Sequence, residues 1–239
     1  MLQTAPSLVA ATACTDGRSS RRGARHVLEL YAGCARLTAA CLDEGLQSWI
    51  PVDISRGPWH DLTDKNVIHV IRPLIVRREV VHLGTPCTPF SQATPARSRS
   101  KHFAYGTGSV SFTVDVLRLC VRFGVKWSVE NPSSSRLWQC SEVTSFLERN
   151  RHFFVKMHYC HYNCRYLKPT TLVTNLKPLE ALGSTCTRAE KSMPSCPRTA
   201  FPRFPKWAAE KAVRARMAAK RIGADERLHA ALKQALCYA

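Results

Sequence analysis

Val27-Leu28-Glu29-Leu30-Tyr31-Ala32-Gly33 decides the fold, together with its echo Val80-Val81-His82-Leu83-Gly84. Each is a short apolar run closed by a glycine, which is how a strand buried on both faces reads before it turns into a helix. After the first run, Leu37, Ala40 and Cys41 fall on one helical face and Gly45 stands where that helix would stop. A second strand is expected over 48–52, delivering Asp53 at its carboxyl end, followed by a helix over 63–76 broken near Pro73. Beyond the second run, Val110, Val114, Leu117 and Val121 recur at helical spacing, with Ser109 as N-cap and Gly124 as stop, and 126–130 reads as another strand. This alternation predicts an α/β fold with a doubly wound, mostly parallel sheet, in which ligands sit outside the carboxyl ends of the strands.

Farther along, a helix is expected over 139–150 and strands over 153–159 and 172–174. The segment 183–205 reads as loop, and the alanine-rich, basic stretch 206–238 as helix interrupted near Gly223. The expected organisation is a basic arm over 1–26, one α/β domain over 27–182, and a loop with a basic helical segment over 183–239.

Lysine and arginine number 35 against 17 acidic residues, a net charge of +18. Such an excess suits a polyanion, whose condensed counterions are released on binding, or else a solvated basic surface. No apolar run is long enough to span a membrane: even 67–76 carries His69, Arg72 and Pro73. Eleven cysteines are scattered through apolar segments with no secretory signal before them, which points to a reducing interior, nuclear in a eukaryote and cytoplasmic otherwise. The first 26 residues hold a single acid, Asp16, and read as a presequence or a disordered arm.

Chemistry is written at the strand ends. Gly84-Thr85-Pro86-Cys87-Thr88-Pro89-Phe90-Ser91 follows the central strand, so Cys87 is expected on a rigid turn at the mouth of the sheet, where a thiolate would serve as nucleophile. Glu130, ending the next strand in Glu130-Asn131-Pro132, is placed to protonate or hydrogen-bond a ring nitrogen. The tight turn at Gly33 and the strand-end Asp53 suit a nucleoside, with the carboxylate on the ribose hydroxyls; Asp61-Leu62 adds a contact for adenine. The stretch 88–108, rich in Pro, Ser, Gly and basic residues, is expected to be a mobile loop whose Arg97, Arg99 and Lys101 close over phosphates. His158, Cys160, His161 and Cys164 crowd together, but irregularly and partly on a strand whose neighbours point to opposite faces, so no metal site is expected.

These residues resemble the DNA cytosine-5 methyltransferase family over most of 27–175, in the form of compact methylases of phages and mobile elements. Glu29 to Ala35 is similar to the family's first, cofactor-binding motif; Tyr31 and Gly33 belong to it, and Asp53-Ile54 and Asp61-Leu62 are similar to the ribose and adenine contacts. Pro86-Cys87 resembles the Pro-Cys motif that supplies the nucleophile, and Glu130-Asn131-Pro132 the Glu-Asn-Val motif. The resemblance implies S-adenosyl-L-methionine as cofactor and DNA as partner, with Ser91 and Lys168 among the residues on the nucleic acid. It also implies a mechanism: Cys87 adds to C6 of a flipped cytosine, Glu130 engages N3 and the exocyclic amine, and C5 takes the methyl group before the C5 proton and Cys87 leave.

The pattern departs from the family where Thr88 follows the cysteine and where Lys168 and Thr170 fall at its arginine pair. Asn131-Pro132-Ser133-Ser134 is superficially similar to the Asn-Pro-Pro-Tyr motif of amino-methyltransferases, but that motif belongs on the strand that here ends in Pro86-Cys87 and needs an aromatic at Ser134. A silent nucleic-acid-binding relative is the reading of a different class.

Overall fold

Successive side chains along a buried strand must satisfy opposite faces, and here they enter two separate hydrophobic clusters. Val27, Val80 and Leu172 point into one; Leu28, Leu30, Val81, Leu83 and Val173 into the other. The computed structural model describes residues 26–91, 96–162, 168–185, 228 and 230–234. Its elements are β1 (His26–Leu30), α1 (Arg36–Asp43), β2 (Gln47–Ser48), α2 (Lys65–Ile75), β3 (Val80–Leu83), α3 (Ala96–Phe123), β4 (Lys126–Pro132), α4 (Ser141–Arg149), β5 (Phe153–His158) and β6 (Pro169–Thr174).

One six-stranded sheet results, in the order β2-β1-β3-β4-β6-β5. β1 runs parallel to β2 and β3, and β3 parallel to β4, while β6 lies antiparallel between β4 and β5. The first cluster is closed by Leu37, Ala40 and Cys41 of α1 and by Leu228, Ala231 and Leu232 near the carboxyl end. The second is closed by Val67, Ile71 and Ile75 of α2 together with residues of α3 and α4. Helices on both faces make the sheet doubly wound and Rossmann-like. Among the described residues no helix is long and apolar enough to cross a membrane.

Three expectations change in detail. β2 covers only Gln47–Ser48, and Val52 rejoins the sheet as a single bridge to Leu30. α2 continues through Pro73 to Ile75, because buried Ile71 and Ile75 hold its apolar stripe on the sheet beyond the proline. The largest change concerns 88–108, expected as a mobile loop: a 3-10 turn over Thr88–Phe90 is followed by α3, which begins at Ala96. Residues 92–95 lie outside the described part. The glycines that suggested a loop are packing positions. A Cβ on Gly106 would sit 2.7 Å from Pro89 Cβ, and one on Gly108 would sit 3.1 Å from Thr63 Cγ2. Ser109, expected as N-cap, lies mid-helix and donates to the Tyr105 carbonyl at 2.8 Å.

The expected helix at the carboxyl end is seen only at 228 and 230–234; the rest of that segment and the arm over 1–25 lie outside the described residues.

Candidate functional site

After β1 the chain crosses to β2 on one side, then returns to β3 on the other, so β1 and β3 flank the point where winding reverses. The two strands stay paired to Leu30 and Leu83, but α1 follows β1 on one face and α3 follows β3 on the other, which leaves a crevice at their carboxyl ends. The turn after β1 is tightly wound: Tyr31, Gly33 and Ala35 have φ of 54°, 50° and 56°. Glycine suits this left-handed conformation, whereas Tyr31 and Ala35 adopt it against their side chains. Gly84, after β3, is held close to this turn; a Cβ on it would lie 2.9 Å from the Tyr31 carbonyl oxygen.

Acids line the β1–β2 side. Asp53 receives the Gly33 N–H at 2.8 Å on one carboxylate oxygen and the Ser55 N–H at 2.9 Å on the other. Burial pushes its carboxyl up, but bonds from Ser55 and Gly33 and the charge of Arg56 outweigh it and leave the group below the usual range, hence ionised. Ile54 and Trp59 stand beside it, 45% and 48% exposed, an apolar lip of the kind a flat ring would cover. Asp61 receives the Thr63 N–H and hydroxyl at 2.9 and 2.7 Å. Leu62 is buried in the core, so contact with a ligand would be through its backbone. Tyr31 likewise buries its ring, edge-on to Phe112 at 6.1 Å, and offers the crevice main chain.

Tyr105 of α3 was not singled out from sequence. Burial and the negative charges of Asp61 and Asp53 raise its phenol above the ordinary value, so it remains a neutral donor facing those acids.

The other side of the crevice is built from β3 and β4. Leu83 pairs with Val129, so Gly84 and Glu130 are the next residues along each strand. Asn131 Nδ2 donates to the Thr85 carbonyl at 2.6 Å, tying the end of β4 to the turn two residues before Cys87. Cys87 is exposed and caps the 3-10 turn, its carbonyl accepting from Phe90 N–H at 3.0 Å. Pro86 is half-buried beneath it, and Ser91 ends the turn. Glu130 Oε1 accepts from the Tyr159 hydroxyl at 3.1 Å and lies 3.4 Å from Lys168 Nζ, which itself sits 4.6 Å above the Tyr159 ring. Lys168, expected on nucleic acid, is thus beside the strand-end acid. Tyr159 had no sequence signal, because only the reversed β6 carries Lys168 back to meet β5 and β4. Below Glu130, buried His82 bonds Ser128 Oγ at 2.9 Å, and its imidazole is pulled down to about 4 by burial, against the opposing charge of Glu130.

Arg97, Arg99 and Lys101 lie on the first turns of α3, beyond the Cys87 turn. Among the described residues no group of His, Cys, Asp and Glu is arranged to hold a metal; Cys164 lies outside them.

The turn into α1 decides which ligands suit the crevice. Ala35 has no side chain to cap the helix, and Glu29 of β1 does so instead, its Oε2 accepting the Thr38 N–H at 2.7 Å and the Thr38 hydroxyl at 2.6 Å. Burial raises the Glu29 carboxyl above its usual value in spite of these bonds. Two of the amides that would cradle a pyrophosphate in a dinucleotide site are therefore occupied, at Thr38 by Glu29 and at Gly33 by Asp53. What this side presents is the pair of carboxylates Asp53 and Asp61, with the Arg56 charge acting on Asp53.

No family model and no curated protein matches the chain. Among solved structures, the Entamoeba histolytica methyltransferase EhMeth is similar with a TM-score of 0.44 and 15% identity, over 64% of this chain and 53% of that one. The S. pombe Dnmt2 methyltransferase is similar with a TM-score of 0.44 and 13% identity, over 70% of this chain and 57% of that one. The chain thus spans a little over half the length of these two structures.

Proposed function

We propose that this protein transfers a methyl group from S-adenosylmethionine to C5 of cytosine in DNA. One observation carries the reading: the exposed Cys87 and the Glu130 carboxylate stand at the ends of neighbouring strands, clamped by the Asn131–Thr85 bond, with an acidic nucleoside crevice alongside.

The residues present fit the cofactor. Asp53 is ionised and keeps lone pairs for two ribose hydroxyls, and nothing lies within 4 Å of where a Cβ on Gly33 would be, so the turn is open to close approach. Ile54 and Trp59 offer apolar cover to the adenine, and Asp61 a hydrogen-bond acceptor for its amine. Asp53 and Asp61 also favour a sulfonium cation, beside a turn whose Gly33 and Thr38 amides are already taken. The cofactor supplies an electrophilic methyl group.

The chain's own residues do the rest. Cys87, as thiolate, adds to C6 of the base, forming an S–C bond and pushing electron density onto C5. Glu130 hydrogen-bonds the ring at N3 and the exocyclic amine and relays a proton from solvent to N3, so that the negative charge developing on the ring is neutralised as the S–C bond forms. Lys168 and the Tyr159 hydroxyl share Glu130 Oε1, which leaves Oε2 to face the base. Once C5 is methylated, the C5 proton passes to solvent and N3 returns its proton through Glu130, which restores the C5–C6 double bond and expels the Cys87 thiolate. The basic start of α3, with Arg97, Arg99 and Lys101, serves the DNA backbone beside this turn.

Incubation with S-adenosylmethionine labelled in the methyl group, followed by mass spectrometry of the nucleosides, tests the reading. It predicts label on C5 of deoxycytidine; label on N4 or on adenine N6 would contradict it.

A further inference from the structure

We propose that the rim at the opposite end of the sheet, where the chain enters β4 and β5, docks an unpaired segment of a polynucleotide. This surface shares no residue with the crevice that holds Cys87.

In a parallel sheet the turns that feed the strands gather at one end, and here they are basic. Arg122 and Lys126 lie at the entry to β4, and Arg149 and Arg151 at the entry to β5. β6 runs the other way, with Thr174 opposite Ser128, so Lys177 just beyond it reaches the same end. All five cations are exposed, and among the described residues none makes an ion pair. The acids on the same turns are Glu148 and Glu180.

Helix ends account for part of this charge. Arg122 and Arg149 occupy the last turns of α3 and α4, where a cation answers the helix dipole. Lys126 and Arg151 lie outside helices, and Lys177 opens a 3-10 turn, where the dipole opposes a cation. The surplus therefore calls for an external anion.

The shape narrows the choice. Two hollows, of about 540 and 300 Å³, open between these turns and share Val121 and Asn150 in their walls. Phe123 and Phe154 flank the basic turns and are 52% and 54% exposed, a high value for phenyl rings. An acidic peptide would answer the charge alone. Arg122 lies 5.4 Å from the Phe123 ring centre and His152 meets Phe154 edge-on at 4.9 Å, so each ring keeps part of its surface to solvent beside a guanidinium. Guanidinium groups interleaved with half-exposed rings match the alternating phosphates and bases of a single strand, whereas a duplex keeps its bases stacked on one another.

The test uses the full chain and a fluorescent oligothymidylate of about twenty nucleotides, with binding read by anisotropy across a salt series. The triple variant Arg122→Gln/Arg149→Gln/Arg151→Gln changes only exposed side chains, and its thermal melt checks that it folds. Loss of three phosphate contacts should make the slope of log K against log salt shallower by about 2, at about 0.7 per contact for a single strand. Phe123→Ala/Phe154→Ala should weaken single-strand binding several-fold with little change in slope. An unaltered slope in the triple variant overturns the proposal, as do equal losses on duplex and single strand with the phenylalanine variant silent. None of these readouts needs methyl transfer, so failure of the proposed reaction and failure of this site are told apart.

Discussion

Replacing His82 by asparagine should remove a large part of the protein's sensitivity to mild acid. The imidazole is buried on β3 and bonded to Ser128 Oγ, and burial lowers it from 6.5 to about 4. Between those values the unfolded chain takes up a proton that the folded chain refuses, so the contribution to stability is present above pH 6.5 and is lost as pH falls. Linkage with these two constants gives a loss of about 2 kcal/mol between pH 7 and pH 5, and about 3 kcal/mol by pH 4. Asparagine offers Ser128 a comparable hydrogen-bonding atom without a titrating proton, at the cost of some packing volume. Urea unfolding at pH 7, 6 and 5 should show the wild type losing about 2 kcal/mol more than His82→Asn over that range. The variant is expected to start lower at pH 7, so the slope is the diagnostic, not the absolute value. Parallel pH curves for the two proteins would refute the claim that a neutral, desolvated His82 sits beneath Glu130.

Two other perturbations probe the site's supports. Gly106→Ala would force a Cβ to 2.7 Å from Pro89 Cβ, so a urea midpoint should report a loss of about 1–3 kcal/mol, where an exposed helical glycine would instead gain from alanine. Asp53→Ala removes the acceptor of the Gly33 and Ser55 N–H groups, and calorimetry with S-adenosylhomocysteine should show affinity weakened by about tenfold or more, as expected for a lost bond to a charged group; unchanged affinity would remove Asp53 from the crevice.

Buried parallel strands announce themselves in sequence, because both faces must be apolar and the exit turn favours glycine. That is why β1, β3 and β4 are readable, and with them Glu130 near the end of β4 and Cys87 on the turn after β3; Asp53 instead follows an isolated bridge at Val52, because β2 stops at Ser48. The start of α3 was not readable: Gly106 and Gly108 carry the same letters whether they loosen a loop or allow a helix to press on Pro89 and Thr63. Glu29 as the cap of α1 was hidden for a related reason, since the cap arrives from β1 and not from the residue before the helix. The grouping of Glu130, Tyr159 and Lys168 depends on one strand running backwards, and local periodicity is blind to strand direction. In sequence Lys168 stands only as a basic residue at the position of the family's arginine pair, while its partner follows from the register of β6 with β4.

The central claim is that Cys87 bonds covalently to the target base. DNA carrying 5-fluorocytosine, incubated with the protein and S-adenosylmethionine, cannot lose a C5 proton after methylation, so the S–C bond should survive denaturation and appear as a shifted band and an adduct mass on the Cys87 peptide. The account predicts that adduct in the wild type, its disappearance in Cys87→Ser, and its retention when exposed Cys34 is replaced by serine. An adduct that persists in Cys87→Ser, or none at all while cofactor and DNA both bind, would contradict it.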